Sequence, residues 1–203
     1  MNNKCKIIEL IFIFLINVPH PPDDTMAYLV PLSMCDRRYS EISAAVRESF
    51  PNACILYIEE VQNQYLVDAY ESRKRIMIEA LGQNVVTEMT LFHGTSEACA
   101  HSIVHRGYDC EKNTVSAYGK GTYFATAAGT SIFYAKDNNN KESFMLMNKV
   151  LIGVTEEYRS GMQINTVLCD NSVNRKLNPS IVVTPYNDGA LPLYLIAFYK
   201  HAK

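Results

Sequence analysis

Two hydrophobic periods alternate along this chain, and each marks a different kind of element. Apolar residues recur at helical spacing over 40–50, where Ile42, Ala45 and Val46 share a stripe with Ser49. Ser40 is the expected N-cap, and Pro51 and Asn52 stop the run. Residues 53–61 read as a strand. Over 65–81 the 3.6-residue period returns: Leu66, Ala69, Tyr70, Ile76, Met77 and Leu81 fall on one face, and Gly82 closes the helix. A short strand ends at Phe92, and a helix over 96–105 follows with Ser96 as cap and Gly107 after its end.

The second half is strand-rich. Strands are predicted over 121–125, 144–154, 163–168, 180–184 and 194–199, and one helix over 126–136 interrupts them. Polar turn sequences at 137–140, 170–174 and 187–189 separate them. The last two strands are apolar on both faces, which places them centrally in a sheet. Helices first and strands later predict an α+β domain, not a regular βαβ alternation.

The N-terminus stands apart. Residues 1–6 are polar and basic, 7–18 are almost wholly apolar, and Pro19, Pro21 and Pro22 break the run. The stretch is shorter than the roughly 20 residues that span a bilayer. Its flanks resemble a signal peptide, but Glu9 interrupts the apolar run and no small-x-small cleavage site follows. Residues 1–25 are therefore expected to lie outside the domain core, with 26–203 forming the domain. An intracellular location, cytoplasmic or nuclear, without stable membrane insertion, is the expectation; secretion through residues 1–25 is the lesser reading.

Charge narrows the function classes. Lys+Arg number 19 and Asp+Glu 21, for a net charge of −2. A sequence-independent nucleic-acid binder needs a basic face, so that class is disfavoured. Six cysteines at irregular spacing lack any C-x-x-C pair and are expected as free, mostly buried thiols. His101 and His105 share a helix face, but no Glu follows His101 and no third ligand is evident, so no metal is expected. Gly119-Lys120-Gly121 superficially resembles a phosphate loop. The next residues read as a strand, so a tight turn with positive-φ glycines is expected instead. The aromatic set is skewed, with 13 Tyr, 8 Phe and no Trp. Phenol rings suit pockets for planar polar ligands.

The most informative segment is Leu91-Phe92-His93-Gly94-Thr95-Ser96, where an imidazole, a bare backbone and hydroxyls follow one another at a strand end. About 30 residues on comes Tyr118-Gly119-Lys120-Gly121-Thr122-Tyr123-Phe124-Ala125, then Ser131 and Tyr134. With Asn178-Pro179-Ser180-Ile181-Val182-Val183 and Pro192-Leu193-Tyr194-Leu195-Ile196-Ala197-Phe198, and with 61–66 and Tyr70 upstream, the chain resembles the poly(ADP-ribose) polymerase-like ADP-ribosyltransferase catalytic domain over roughly 37–200.

The resemblance implies an α+β, ADP-ribosyltransferase-like fold of split mixed or antiparallel sheets with flanking helices, and an enzyme that splits NAD+ at the nicotinamide–ribose bond and passes ADP-ribose to an acceptor. NAD+ is then a co-substrate, with no metal. His93 matches the histidine that binds the adenosine ribose. Gly94 matches the backbone that pairs with the nicotinamide amide, with Thr95 beside it. Ser131 matches a hydroxyl on the same amide, and Tyr123 and Tyr134 match the tyrosines around the ring. At the third catalytic position, where polymerases place a glutamate, Leu195 aligns. Leucine neither accepts a hydrogen bond nor polarises a nucleophile. The His93, Tyr123 and Leu195 set resembles the mono-ADP-ribosylating members, in which an acceptor carboxylate supplies the missing charge and elongation fails. The implied partners are NAD+ and a protein acceptor, the chain itself included, with nucleic acid entering only as an end-group acceptor.

Two departures bear on the acceptor side. Leu193 stands where the family often has Glu, and 137–178 looks shorter than usual; Asp109-Cys110-Glu111 fills the loop that covers the nucleotide. Two other readings compete. One is an inactive relative that still binds NAD+ or ADP-ribose, against which the intact His93, Tyr123 and Tyr134 argue. The other is an RNA 2′-phosphotransferase, whose related fold also carries a His-Gly-Thr strand end; the net charge of −2 counts against its RNA substrate.

Overall fold

The computed structural model describes residues 26–113, 117–159 and 170–200. The elements run β1 (Tyr28–Pro31), α1 (Arg37–Ser49), β2 (Cys54–Gln62), α2 (Gln64–Leu81), β3 (Thr87–Thr95), α3 (Glu97–Arg106), β4 (Thr122–Ala125) and α4 (Ala128–Ser131). Then come β5 (Ser143–Ile152), β6 (Thr155–Glu157), β7 (Asn171–Val173), β8 (Ile181–Thr184) and β9 (Ala190–Tyr199). Among the described residues the strands form one mixed sheet, ordered β1-β2-β9-β5-β3-β4-β8-β7-β6. All neighbours are antiparallel except β6 and β7. Helices packed on a mostly antiparallel sheet give the expected α+β architecture, with the expected split halves joined into one sheet through the Phe92–Ala125 pair.

The sheet is nearly divided in two. β3 pairs with β5 from Thr87 to Thr95, but with β4 only at Phe92 and Ala125. β4 pairs instead with β8 over all four of its residues. Past Phe92, the edge of β3 that faces β4 therefore has no strand partner among the described residues.

The core lies on both faces of the larger half. Leu91, Phe144, Leu146, Leu195 and Ala197 project to one face, where Ala100 and Val104 of α3 cover them. Phe92, Met145, Ile196 and Phe198 project to the other, under Ile42 and Val46 of α1. β9 lies between β2 and β5 and is buried along most of its length, as its two-sided apolar pattern predicts. Leu66, Tyr70 and Met77 of α2 form a third cluster with Val86, Leu151 and Leu191. Arg73 joins that buried face. It is only 1% exposed, bonds Asp188 at 2.8 Å and lies 4.5 Å over the Tyr186 ring. Helical spacing alone gives no sign that this stripe holds a cation, because its partner is 115 residues away.

Several sequence expectations change. Asp36, not Ser40, caps α1: its side chain accepts from the Arg38 N–H, while the Ser40 hydroxyl donates back to the Arg37 carbonyl. The strand expected to end at Phe92 continues to Thr95, because β5 supplies ladder partners that far. The helix expected over 126–136 is one turn, Ala128–Ser131, with no side-chain cap. Beyond it Tyr134 and Ala135 donate to carbonyls three residues back, so the chain tightens into turns. Asn171–Val173, expected within a turn, is a short strand held between β6 and β8. Three of the four described cysteines, Cys35, Cys54 and Cys99, are exposed and only Cys110 is buried, because the exposed three sit on turns or outward faces. Residues 1–25, Cys169 and the strand expected over 163–168 lie outside the described residues.

Candidate active site at the divided sheet

A cavity of about 130 Å³ opens where β3 and β4 part, and five of the residues singled out in the sequence line it: His93, Gly94, Tyr123, Ser131 and Tyr134. It is smaller than the roughly 300–1,000 Å³ of a drug-sized site and matches the scale of a single ring. Asn113, Ala117, Tyr118, Phe124, Ala125 and Ile181 complete the wall. Thr95 and Leu195 are not among the lining residues.

The two halves of the site are joined by His93. Its Nδ1 lies 2.8 Å from the Tyr123 carbonyl. A carbonyl oxygen only accepts, so Nδ1 carries the hydrogen and Nε2 keeps a lone pair. Burial pushes the imidazole pKa below its ordinary value, and the bond to the Tyr123 carbonyl only partly offsets this. His93 is therefore neutral at pH 7 and presents an acceptor.

Gly94 permits the closest approach in the site. A methyl there would overlap the Ser131 carbonyl oxygen and stand 2.8 Å from its carbon and 3.1 Å from the Ala135 nitrogen. The residue after the histidine must therefore be glycine for α4 to seat against the end of β3. The Thr95 carbonyl then accepts the Lys136 N–H at 3.2 Å, which fastens the segment after α4. Ser131 is 3% exposed, whereas Tyr134 is 59% exposed, so one side of the cavity is fixed and the other open.

Tyr123 is held from behind by the turn that precedes it. Gly119 has φ of 100°, and its carbonyl accepts the Tyr123 hydroxyl at 2.6 Å. The Tyr123 phenol oxygen in turn accepts the Tyr118 N–H at 2.9 Å. Gly121, with φ of 149°, packs against the Thr184 carbonyl where any Cβ would collide. The expected tight turn is thus present, and it fixes the phenol ring. Burial raises the Tyr123 pKa, which keeps the hydroxyl protonated for its donor role.

After α3 comes a 3₁₀ turn, Cys110–Lys112, capped by Asp109. The Cys110 N–H donates to the Asn187 side chain at 2.8 Å, and its thiol to the Pro185 carbonyl at 3.1 Å. Asn113 Nδ2 reaches the Gly121 carbonyl at 2.6 Å. Asn113 gives no signal in the sequence, because it is one polar residue in a polar run.

Leu195 is fully buried in β9. Cross-strand register aligns it with Leu146 of β5, and Leu146 with His93 of β3. The three side chains therefore share one face of the sheet in a row. The position holds no hydrogen-bonding group, and an apolar side chain separates it from the imidazole.

The sheet thus divides beside an imidazole and a bare glycine on one lip and a locked tyrosine on the other. Residues 37–180 match the poly(ADP-ribose) polymerase catalytic domain, and the chain belongs to that family. Among curated relatives, protein mono-ADP-ribosyltransferase PARP14 of Homo sapiens is 30% identical over 85% of this chain and 10% of its own length. Protein mono-ADP-ribosyltransferase PARP12 of Homo sapiens is 29% identical over 86% of this chain and 26% of its length. Protein mono-ADP-ribosyltransferase PARP11 of Homo sapiens is 26% identical over 84% of this chain and 59% of its length. The chain thus spans about a tenth to three-fifths of these relatives.

Proposed function

We propose that this chain is an NAD+-dependent mono-ADP-ribosyltransferase that places one ADP-ribose on protein Glu or Asp side chains. The observation that carries the reading is the shared cavity of His93, Gly94, Tyr123, Ser131 and Tyr134, with Leu195 buried outside it.

The residues fit the nicotinamide end of NAD+. A carboxamide has an acceptor oxygen and a donor NH2, which the backbone edge at Gly94, without a strand partner among the described residues, and the Ser131 hydroxyl complement. Tyr123 and Tyr134 offer aromatic faces to the pyridinium ring. Neutral His93 has a free Nε2 lone pair to accept from a ribose hydroxyl. In the reaction the C1′–N bond breaks, and its electron pair passes to the ring nitrogen, which neutralises the pyridinium. An oxygen of the acceptor carboxylate forms the new bond to C1′ of the oxocarbenium-like ribose. That nucleophile is already ionised and needs no base. A second unit would attach through a ribose hydroxyl, which does need one, and leucine at 195 offers no acceptor. Transfer therefore stops at one unit.

The test is incubation of the pure chain with NAD+ and candidate acceptor proteins, with free nicotinamide and the modified side chains read together. Nicotinamide release with carboxylate adducts, lost in Tyr123→Ala and His93→Ala, supports the reading. Saturable NAD+ binding with no release would replace it with that of an inactive binding relative.

A further inference from the structure

We propose that Tyr108, held by Asn148, is a positioning residue for His93 and sets how the imidazole presents Nε2 to the cavity. This rests on the reading of the cavity as the NAD+ site. Tyr108 follows the Gly107 cap of α3 and is 2% exposed, and it does not line the cavity. Its ring meets the His93 ring nearly edge-on, with centroids 5.4 Å apart at 85°. It meets Phe124 at 5.1 Å and 74°, and Phe124 also packs on His93 at 5.7 Å. The Tyr123 carbonyl fixes one ring nitrogen, but a single hydrogen bond leaves the ring free to tilt about it. Tyr108 and Phe124 remove that freedom.

The second half of the device is buried behind the tyrosine. The Tyr108 hydroxyl donates to Asn148 Oδ1. The Asn148 amide donates to the Leu146 carbonyl at 3.0 Å and the Leu91 carbonyl at 3.2 Å. Those two bonds use its donors and leave Oδ1 as the only acceptor for the phenol. Leu91 stands two residues before His93 on β3, and Leu146 is the cross-strand partner of His93. The amide thus ties the tyrosine to the backbone of β3 two residues before the histidine and to that of β5 opposite it. Asn148 enters the core beside an irregularity, where β5 shifts register on β9 from Tyr194 to Pro192. A fully buried amide with every group paired costs little, whereas a partly satisfied one costs much, so the network holds one geometry.

The groups facing the imidazole are the Tyr108 phenol, the Phe124 ring and the Tyr123 carbonyl, with Leu146 as cross-strand partner. Burial by this apolar set and the carbonyl bond govern its titration.

The experiment reads His93 directly. The imidazole is titrated by NMR in the free protein for wild type, Tyr108→Phe and Tyr108→Leu, with folding checked by thermal melts. In wild type the His93 pKa lies below about 6.5. Tyr108→Leu moves it up toward that value, and Tyr108→Phe, which keeps the ring and loses the tether, moves it less in the same direction. NAD+ affinity is measured in parallel and falls about ten-fold in Tyr108→Leu. In a His93→Gln background the same change alters affinity less than about two-fold, because the group it acts through is gone. An unmoved His93 titration in both variants, or an equal loss of affinity in both backgrounds, overturns the proposal. If wild type binds no NAD+, the functional reading fails while the titration still decides this one.

Discussion

Replacing Gly94 by alanine tests the close approach on which the site is built. The added methyl overlaps the Ser131 carbonyl oxygen and lies 2.8 Å from its carbon, where carbon atoms in contact prefer about 3.5–4.0 Å. Both obstacles are backbone, and the Ala135 nitrogen at 3.1 Å blocks a sideways escape. Relief requires α4 and the following turn to move about 1 Å away from β3. Overpacking of this kind costs about 1–3 kcal/mol, or roughly 2–12 °C in Tm for a domain of this size. The larger effect falls on function. Ser131 and Tyr134 both travel with that segment, and a 1 Å misplacement of positioning groups costs about 100-fold. Isothermal titration with NAD+ and a melting curve measure the two effects separately. Gly82→Ala is the control: it has φ of 92° but nothing within 4 Å of a new Cβ. It loses stability through backbone strain, about 1–3 kcal/mol, and keeps NAD+ affinity. Equal NAD+ affinity in Gly94→Ala and wild type would refute the reasoning.

Other outcomes follow from the same geometry. Arg73→Met leaves Asp188 buried without its cation and destabilises the chain by about 3–5 kcal/mol in a denaturant titration. Tyr123→Phe loses the bonds to Gly119 and Tyr118 but keeps the ring, so it costs about 1 kcal/mol in the same titration and weakens nicotinamide binding modestly, far less than Tyr123→Ala. Leu195→Glu buries a carboxylate among Leu146, Phe144 and Ala197; it lowers Tm sharply and yields no polymer on a gel. NAD+ affinity holds above pH 6.5 and declines as pH falls through the lowered pKa of His93, where Nε2 gains a proton and ceases to accept. The stability contribution has the same sense: the neutral imidazole is favoured in the fold, so stability is full above about 6.5 and lost on acidification. Affinity that rises on acidification contradicts this assignment.

His93, Gly94, Thr95, Tyr123, Ser131, Tyr134 and Leu195 stand out in the sequence as one set; five of them line one cavity, and Thr95 and Leu195 do not. The two-sided apolar run of β9 and the long stripe of α2 are also legible, because β9 is buried on both faces and α2 along one. What escaped detection depends on partners far along the chain. Strand β3 extends through the glycine only because β5 pairs with it, and β7 exists only between β6 and β8. Arg73 lies on an apolar stripe because Asp188 meets it there. Ser40 looked like a cap, but Asp36 lies four residues earlier and takes that role. Tyr108 and Asn148 read as ordinary core and strand residues, since neither belongs to a motif and their meeting requires the fold.

The central claim is that the site transfers ADP-ribose once, because Leu195 leaves the third position without an acceptor. Intact-mass analysis of a modified acceptor, after prolonged incubation with excess NAD+, counts the units at each site. The account predicts adducts of a single ADP-ribose per modified carboxylate, with no further growth over time. A ladder of successive units on one side chain would contradict it.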